Sequence, residues 1–90
     1  MPRYLVERSF PDGLQLPATA EGAEAAAGVI ARNAERGVTW VDSYVTPDKR
    51  KTFCIYDAPD EAAIRDSAIA NGVPVDAIHE VRVLDPYFHH

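Results

Sequence analysis

Residues 3–8 (RYLVER) read as a strand, whose period of two puts Tyr4 and Val6 on one side and Leu5 and Glu7 on the other. Pro11-Asp12-Gly13 is a turn cluster, and residues 14–18 read as a loop. At Thr19 the period changes. Ala23, Ala26, Ala27, Ile30 and Ala34 recur at helical spacing, with Thr19 as the N-cap, Glu21 in the first turn and Gly37 as the stop. The alanine face of this helix is shallow enough to lie close against a sheet. Residues 38–45 (VTWVDSYV) are β-branched and aromatic and predict a second strand. Thr46-Pro47-Asp48 turns the chain, and residues 51–56 (KTFCIY) return it as an antiparallel hairpin. Asp60 caps a second helix that carries an Ile64–Ala68 apolar step and a Glu61–Arg65 pair. Asn71-Gly72 ends it, Pro74 prevents continuation, and residues 77–84 form the last strand.

The order strand, helix, strand, strand, helix, strand predicts an α+β fold. It is that of the ferredoxin-like βαββαβ plait, a four-stranded antiparallel sheet with two helices on one face. Residues 1–90 make one such domain. Strand parity sorts the side chains into two faces. Tyr4, Val6, Val41, Val45, Phe53, Ile55, Val81 and Val83 are expected beneath the helices. Leu5, Glu7, Trp40, Asp42, Tyr44, Cys54, Tyr56, Glu80, Arg82 and Leu84 are expected on the open face. That face is too aromatic to be left in water without a reason and too charged to be a plain core. It is read as a subunit contact in a homodimer, a dimeric α+β barrel, or as the wall of a ligand pocket, and a dimer can enclose such a pocket. The predicted ligand-binding residues are therefore Glu7, Trp40, Asp42, Tyr44, Cys54, Tyr56 and Arg82.

Composition limits the classes of function. A net charge of −5 repels phosphate backbones, and the one basic run, Lys49-Arg50-Lys51, falls in a hairpin turn, so nucleic acid is not an expected partner. No apolar run reaches the ~20 residues of a membrane span, and the N-terminus lacks a signal peptide's apolar stretch, which points to the cytoplasm and away from a membrane. The single cysteine, Cys54, allows no internal disulfide, and a small core without staples gains from association.

Candidate chemistry is sparse, and no catalytic residue is assigned. Glu7, Asp42, Glu80 and Arg82 can meet on neighbouring strands, where a carboxylate beside tyrosines would serve as a general base if burial raised its pKa. The simpler reading is a salt bridge of Arg82 with Glu7 or Glu80. Cys54 has no electropositive neighbour in its local sequence and reads as a small hydrophobe. His79 is one imidazole within a strand. His89-His90 is a terminal pair of the kind that collects Ni²⁺ or Zn²⁺ adventitiously and that a purification tag leaves behind.

Four blocks carry a resemblance: Gly37-Val38-Thr39-Trp40; Thr52-Phe53-Cys54-Ile55-Tyr56-Asp57-Ala58-Pro59; Asn71-Gly72-Val73-Pro74-Val75-Asp76; and Glu80-Val81-Arg82-Val83. Together they resemble the domain of unknown function 4242 family, small bacterial proteins also labelled nickel-binding-protein-like. The resemblance covers nearly the whole chain and implies a ferredoxin-like homodimer that binds nickel through histidine-rich positions. At the comparable positions this chain has Glu7-Arg8, Thr39 with Asp42, and Val73, so Glu7 and Asp42 are the metal-ligand candidates the resemblance leaves.

Three functions follow as expectations. The first is a binding protein that holds a metal ion or small molecule between subunits. The second, by fold analogy, is a cofactor-free enzyme of the dimeric α+β barrel type. The third is a structural or interaction module.

Overall fold

The computed structural model describes residues 1–14 and 19–87. The predicted loop 14–18 beyond Leu14 and the terminal pair His89-His90 lie outside them. Six elements follow in the expected order: β1 (Arg3–Ser9), α1 (Ala20–Ala34), β2 (Thr39–Val45), β3 (Lys51–Asp57), α2 (Glu61–Asn71) and β4 (Ala77–Val81). The sheet is antiparallel with spatial order β2-β3-β1-β4, so the two strands that begin each half, β1 and β3, occupy the centre. This is the ferredoxin-like plait. The last strand is shorter than predicted, because its pairing with β1 ends at Val81 opposite Arg3.

Local chemistry sets the helix ends. The Thr19 side chain accepts from the Gly22 amide at 3.2 Å, and the Asp60 carboxylate accepts from the Ala63 amide at 2.8 Å. Gly72 closes α2 at φ 67°, a left-handed conformation that a residue without Cβ takes at little cost. Glu61 and Arg65 pair at 3.0 Å across one turn. The hairpin tip is held by Asp48, whose carboxylate accepts from the Thr46 hydroxyl and the Arg50 amide; those bonds hold its pKa below the ordinary value.

The core lies between the sheet and the helices. It joins Tyr4 and Val6 of β1, Cys54 and Tyr56 of β3, Val38, Ala58 and Ile64 of α2, with Trp40, Ala63, Val75 and Ile78 packed around them. Val6 is completely buried and Ile64 nearly so.

Three parts of the parity expectation are corrected, in β3, β2 and β4. In β3 the buried residues are Thr52, Cys54 and Tyr56, so Phe53 and Ile55 face the open side. The register with β1 sets this phase: Tyr4 stands opposite Tyr56, and Leu5 opposite Ile55. A one-residue change of phase turns every side chain over. In β2 a bulge between Trp40 and Asp42 shifts the register. Trp40 is paired with Tyr56 on the helix side, whereas Asp42 is paired with Ile55 and Tyr44 with Phe53 on the open side. Val81 pairs with Arg3 and also belongs to the open face, while Glu80, opposite Tyr4, sits on the other side of the sheet edge.

Candidate functional site

The predicted site residues divide between two regions. Glu7, Asp42 and Tyr44 are brought to the open face, where Arg82 joins them at its edge. Trp40, Cys54 and Tyr56 lie on the covered side, in a cleft between the sheet and α1. A general base made from Glu7 or Asp42 beside Tyr56 is therefore not assembled, because the sheet stands between them.

The open face has an apolar floor framed by charge. Leu5, Phe53, Ile55 and Val81 run across it, and Val41, Tyr44 and Val83 are exposed beside them. A groove of about 400 Å³ crosses this floor, with Arg3, Asp42 and Arg82 among its walls. The expected salt bridge of Arg82 with Glu7 or Glu80 is absent among the described residues. Charges pair across β1 and β3 instead. Arg3 donates from Nε and Nη2 to the Asp57 carboxylate at 2.8 and 3.1 Å, and Lys51 lies 3.4 Å from Glu7. The hydrogen bond from Arg3 holds the Asp57 carboxyl below its ordinary pKa, with burial opposing.

The donor set of this face does not fit a nickel ion within one chain. Among the described residues no three of His, Cys, Asp and Glu come together. Asp42 is on β2 and His79 on β4, the two outer strands. Three strand spacings separate them, about 14 Å. Glu7 lies between and is engaged by Lys51.

The covered cleft has a different character. Its volume is about 360 Å³, and it is walled by Ala26 and Val29 of α1 and by Trp40, Cys54 and Tyr56 of the sheet. The alanine face of α1 does not close on the sheet as the sequence predicted. Short side chains leave the space above Trp40 and Tyr56 unfilled, and Gly22 and Asn33 are the buried residues of that helix. Trp40 Nε1 donates to the Ser43 hydroxyl at 2.8 Å, which keeps the indole along the wall. The Cys54 thiol is buried and donates to Thr52 Oγ1 at 3.8 Å, in keeping with a small hydrophobe.

Sequence reading missed Arg8 in this cleft. Its side chain continues the Tyr4, Val6, Arg8 row and is 5% exposed. Nη1 donates to the Pro74 carbonyl at 2.7 Å and Nη2 to the Tyr56 hydroxyl at 3.2 Å, with the guanidinium 5.8 Å from the Tyr56 ring centre. Burial raises the Tyr56 phenol pKa, with Cys54 adding to the rise and Arg8 opposing it. The signal was available in principle, since residue 8 has the parity of the buried positions 4 and 6.

The comparisons with known proteins follow this geometry. A family model described as nickel responsive protein SCO4226-like matches residues 4–81. The nickel-responsive label is the part of the sequence resemblance that this match carries. The crystal structure of SCO4226 from Streptomyces coelicolor A3(2) aligns with a TM-score of 0.70 over 90% of this chain and 96% of that chain, at 18% identity. At that identity the likeness establishes the shared fold. No curated protein matches the chain in sequence.

Proposed function

The chain belongs to the nickel-responsive SCO4226-like family, and from that premise we propose that it is a small homodimeric binding protein whose open sheet face forms the subunit contact and holds a small ligand or metal ion there. The observation that carries this reading is the composition of that face. An apolar floor of Leu5, Phe53, Ile55 and Val81 is ringed by Arg3, Lys51 and Arg82 and by Glu7, Asp42 and Asp57. Basic and acidic groups balance on it, although the chain as a whole carries −5. A two-fold contact places one patch on its own copy, and a patch of mixed charge is the kind that can meet itself without net repulsion.

Such a contact also bears on the metal. Glu7, Asp42 and His79 lie on three strands of one chain, and only donors from two chains facing each other would complete a set for a nickel ion. The alternative of a cofactor-free enzyme has less support: Tyr56 is on the opposite side of the sheet from the carboxylates, and Tyr44, which shares the open face with Asp42, is exposed.

Sedimentation velocity on the parent and on Ile55→Asp tests the reading. The parent is expected to sediment as a dimer and the variant as a folded monomer with an unchanged circular dichroism spectrum. A monomeric parent at tens of micromolar overturns it. Nickel calorimetry on protein ending at Phe88 is expected to give one ion per two chains, and the absence of binding removes the metal from the reading.

A further inference from the structure

Among the described residues, Arg8 is a buried cation without a counter-ion. None of the described ion pairs includes it, and the residues lining the cleft include no Asp or Glu. A guanidinium carries five N–H donors, and the Pro74 carbonyl and Tyr56 hydroxyl each take one, from Nη1 and Nη2. Removing such a charge from water costs several kcal/mol in general unless an anion offsets it. In a chain of net charge −5, the acidic groups are placed elsewhere and an arginine is kept in an apolar cleft.

A second arginine reaches the same cleft. Arg32 of α1 donates from Nε to Asn71 Oδ1 at 2.6 Å, and Asn71 Nδ2 in turn donates to Asn33 Oδ1 at 3.0 Å. This chain ties α1 to α2 and fixes the stem of Arg32. Its terminal nitrogens lie over Gly28, where a Cβ would stand 3.2 Å from both. Glycine in a helix interior costs about 0.5–1 kcal/mol relative to alanine. In a helix otherwise rich in alanine, its presence leaves that guanidinium its place.

The remaining walls are mainly apolar, with Ala26, Val29, Trp40 and Cys54 among them, and Ser43, Thr52 and Asn71 add uncharged polar groups. The cleft volume of about 360 Å³ is at the lower end of the ~300–1,000 Å³ typical of small-molecule sites. From these observations we propose that the cleft between α1 and the sheet binds a small monocarboxylate with an apolar body, its carboxylate taken by Arg8 and its hydrocarbon or aromatic part laid against Trp40, Val29 and Ala26. The planar fork of a guanidinium matches a carboxylate in two parallel hydrogen bonds, and the apolar walls favour a single charge on a hydrophobic molecule over an inorganic anion. The site is on the opposite side of the sheet from the proposed subunit contact and does not depend on it.

Trp40 is the only tryptophan of the chain, so its fluorescence reports on the cleft directly. The experiment titrates the parent with octanoate and 3-phenylpropanoate at pH 7, and with octanamide as the uncharged counterpart. A saturable change with at least one carboxylate, and binding of octanamide weaker by about tenfold or more, is expected. Arg8→Met should weaken carboxylate binding by about tenfold or more while leaving octanamide unchanged. Ala26→Leu, at a half-buried position of the cleft wall, should fill the cleft and weaken both with an unchanged circular dichroism spectrum. Ile55→Asp should bind carboxylate as the parent does, which separates this proposal from the dimer. The absence of a saturable change with both carboxylates, equal binding of octanoate and octanamide, or parent-like carboxylate binding by Ala26→Leu overturns the proposal.

Discussion

The two faces of the sheet treat charge in opposite ways. On the open face each charged side chain of β1 has a partner on β3, Arg3 with Asp57 and Glu7 with Lys51, and all four remain partly in water. On the covered face Arg8 is buried and paired with a carbonyl and a phenol only. Exposed pairs are weak but cost little, so they suit a surface that must stay compatible with solvent and with a copy of itself. A buried cation held by neutral groups is costly, and retaining it makes sense where an anion arrives. Adjacent residues of one strand thus serve separate ends, Glu7 as a rim charge and Arg8 as an anchor.

The strongest way to break the comparison is to put the same charge on both faces. Val6→Asp places a carboxylate at a fully buried position and is expected to cost more than about 4 kcal/mol, enough to unfold a small domain in urea titration. Leu5→Asp, one residue away on the open face, should leave the monomer folded. Equal loss of stability in the two variants would mean that the open face is part of the monomer's core.

A smaller effect is expected from deleting Val41, which removes the bulge. Trp40 and Asp42 then become neighbours, so Asp42 stays opposite Ile55 and Tyr44 opposite Phe53 on the open face. A loss within about 1 kcal/mol is expected in the same titration. A loss as large as that of Val6→Asp would show that the extra residue is needed to hold β2 on the sheet.

The smallest effect is on the rim. The pKa of Asp57 is held down by Arg3, so the carboxylate form is favoured in the folded state. The stability this contributes is full above the ordinary aspartate pKa of about 4 and is lost as pH falls through the lower folded-state value. Arg3→Met should remove that part of the acid dependence, measured as a shallower fall in melting temperature between about pH 4 and pH 2. Added salt at neutral pH should reduce the difference between Arg3→Met and the parent. An unchanged acid slope would show that Arg3 and Asp57 do not interact appreciably in solution.

Much of the fold was legible because its signals are local. Thr19, Asp60 and Gly72 mark helix ends through bonds and dihedrals that involve only their near neighbours. The faces of the sheet were legible in β1, where Tyr4 and Val6 fall on the helix side and Leu5 and Glu7 on the other. In β3 they were not. Phe53 and Ile55 are more apolar than Thr52 and Cys54, so apolarity alone selects the wrong row. The charges at the strand ends held the answer, since Arg3 and Glu7 on β1 meet Asp57 and Lys51 on β3 only when Phe53 and Ile55 face outward. The bulge had no glycine to announce it, and it separated Trp40 from Asp42 and Tyr44. Arg8 went unrecognised because a charged residue at a strand end reads as solvent-exposed, and what buries it comes from residues far away in sequence, Tyr56 and Pro74.

The single extra residue of β2 has a wider meaning for how such a protein can change. Because Val41 resets the phase, Trp40 before it reports to the cleft and Asp42 and Tyr44 after it report to the outer surface. Substitutions at Trp40 and at Asp42 and Tyr44 can therefore drift under separate selection, although they share seven residues of one strand. The strand acts as a junction between two modules, and pairing preference can diversify without altering what the interior accommodates.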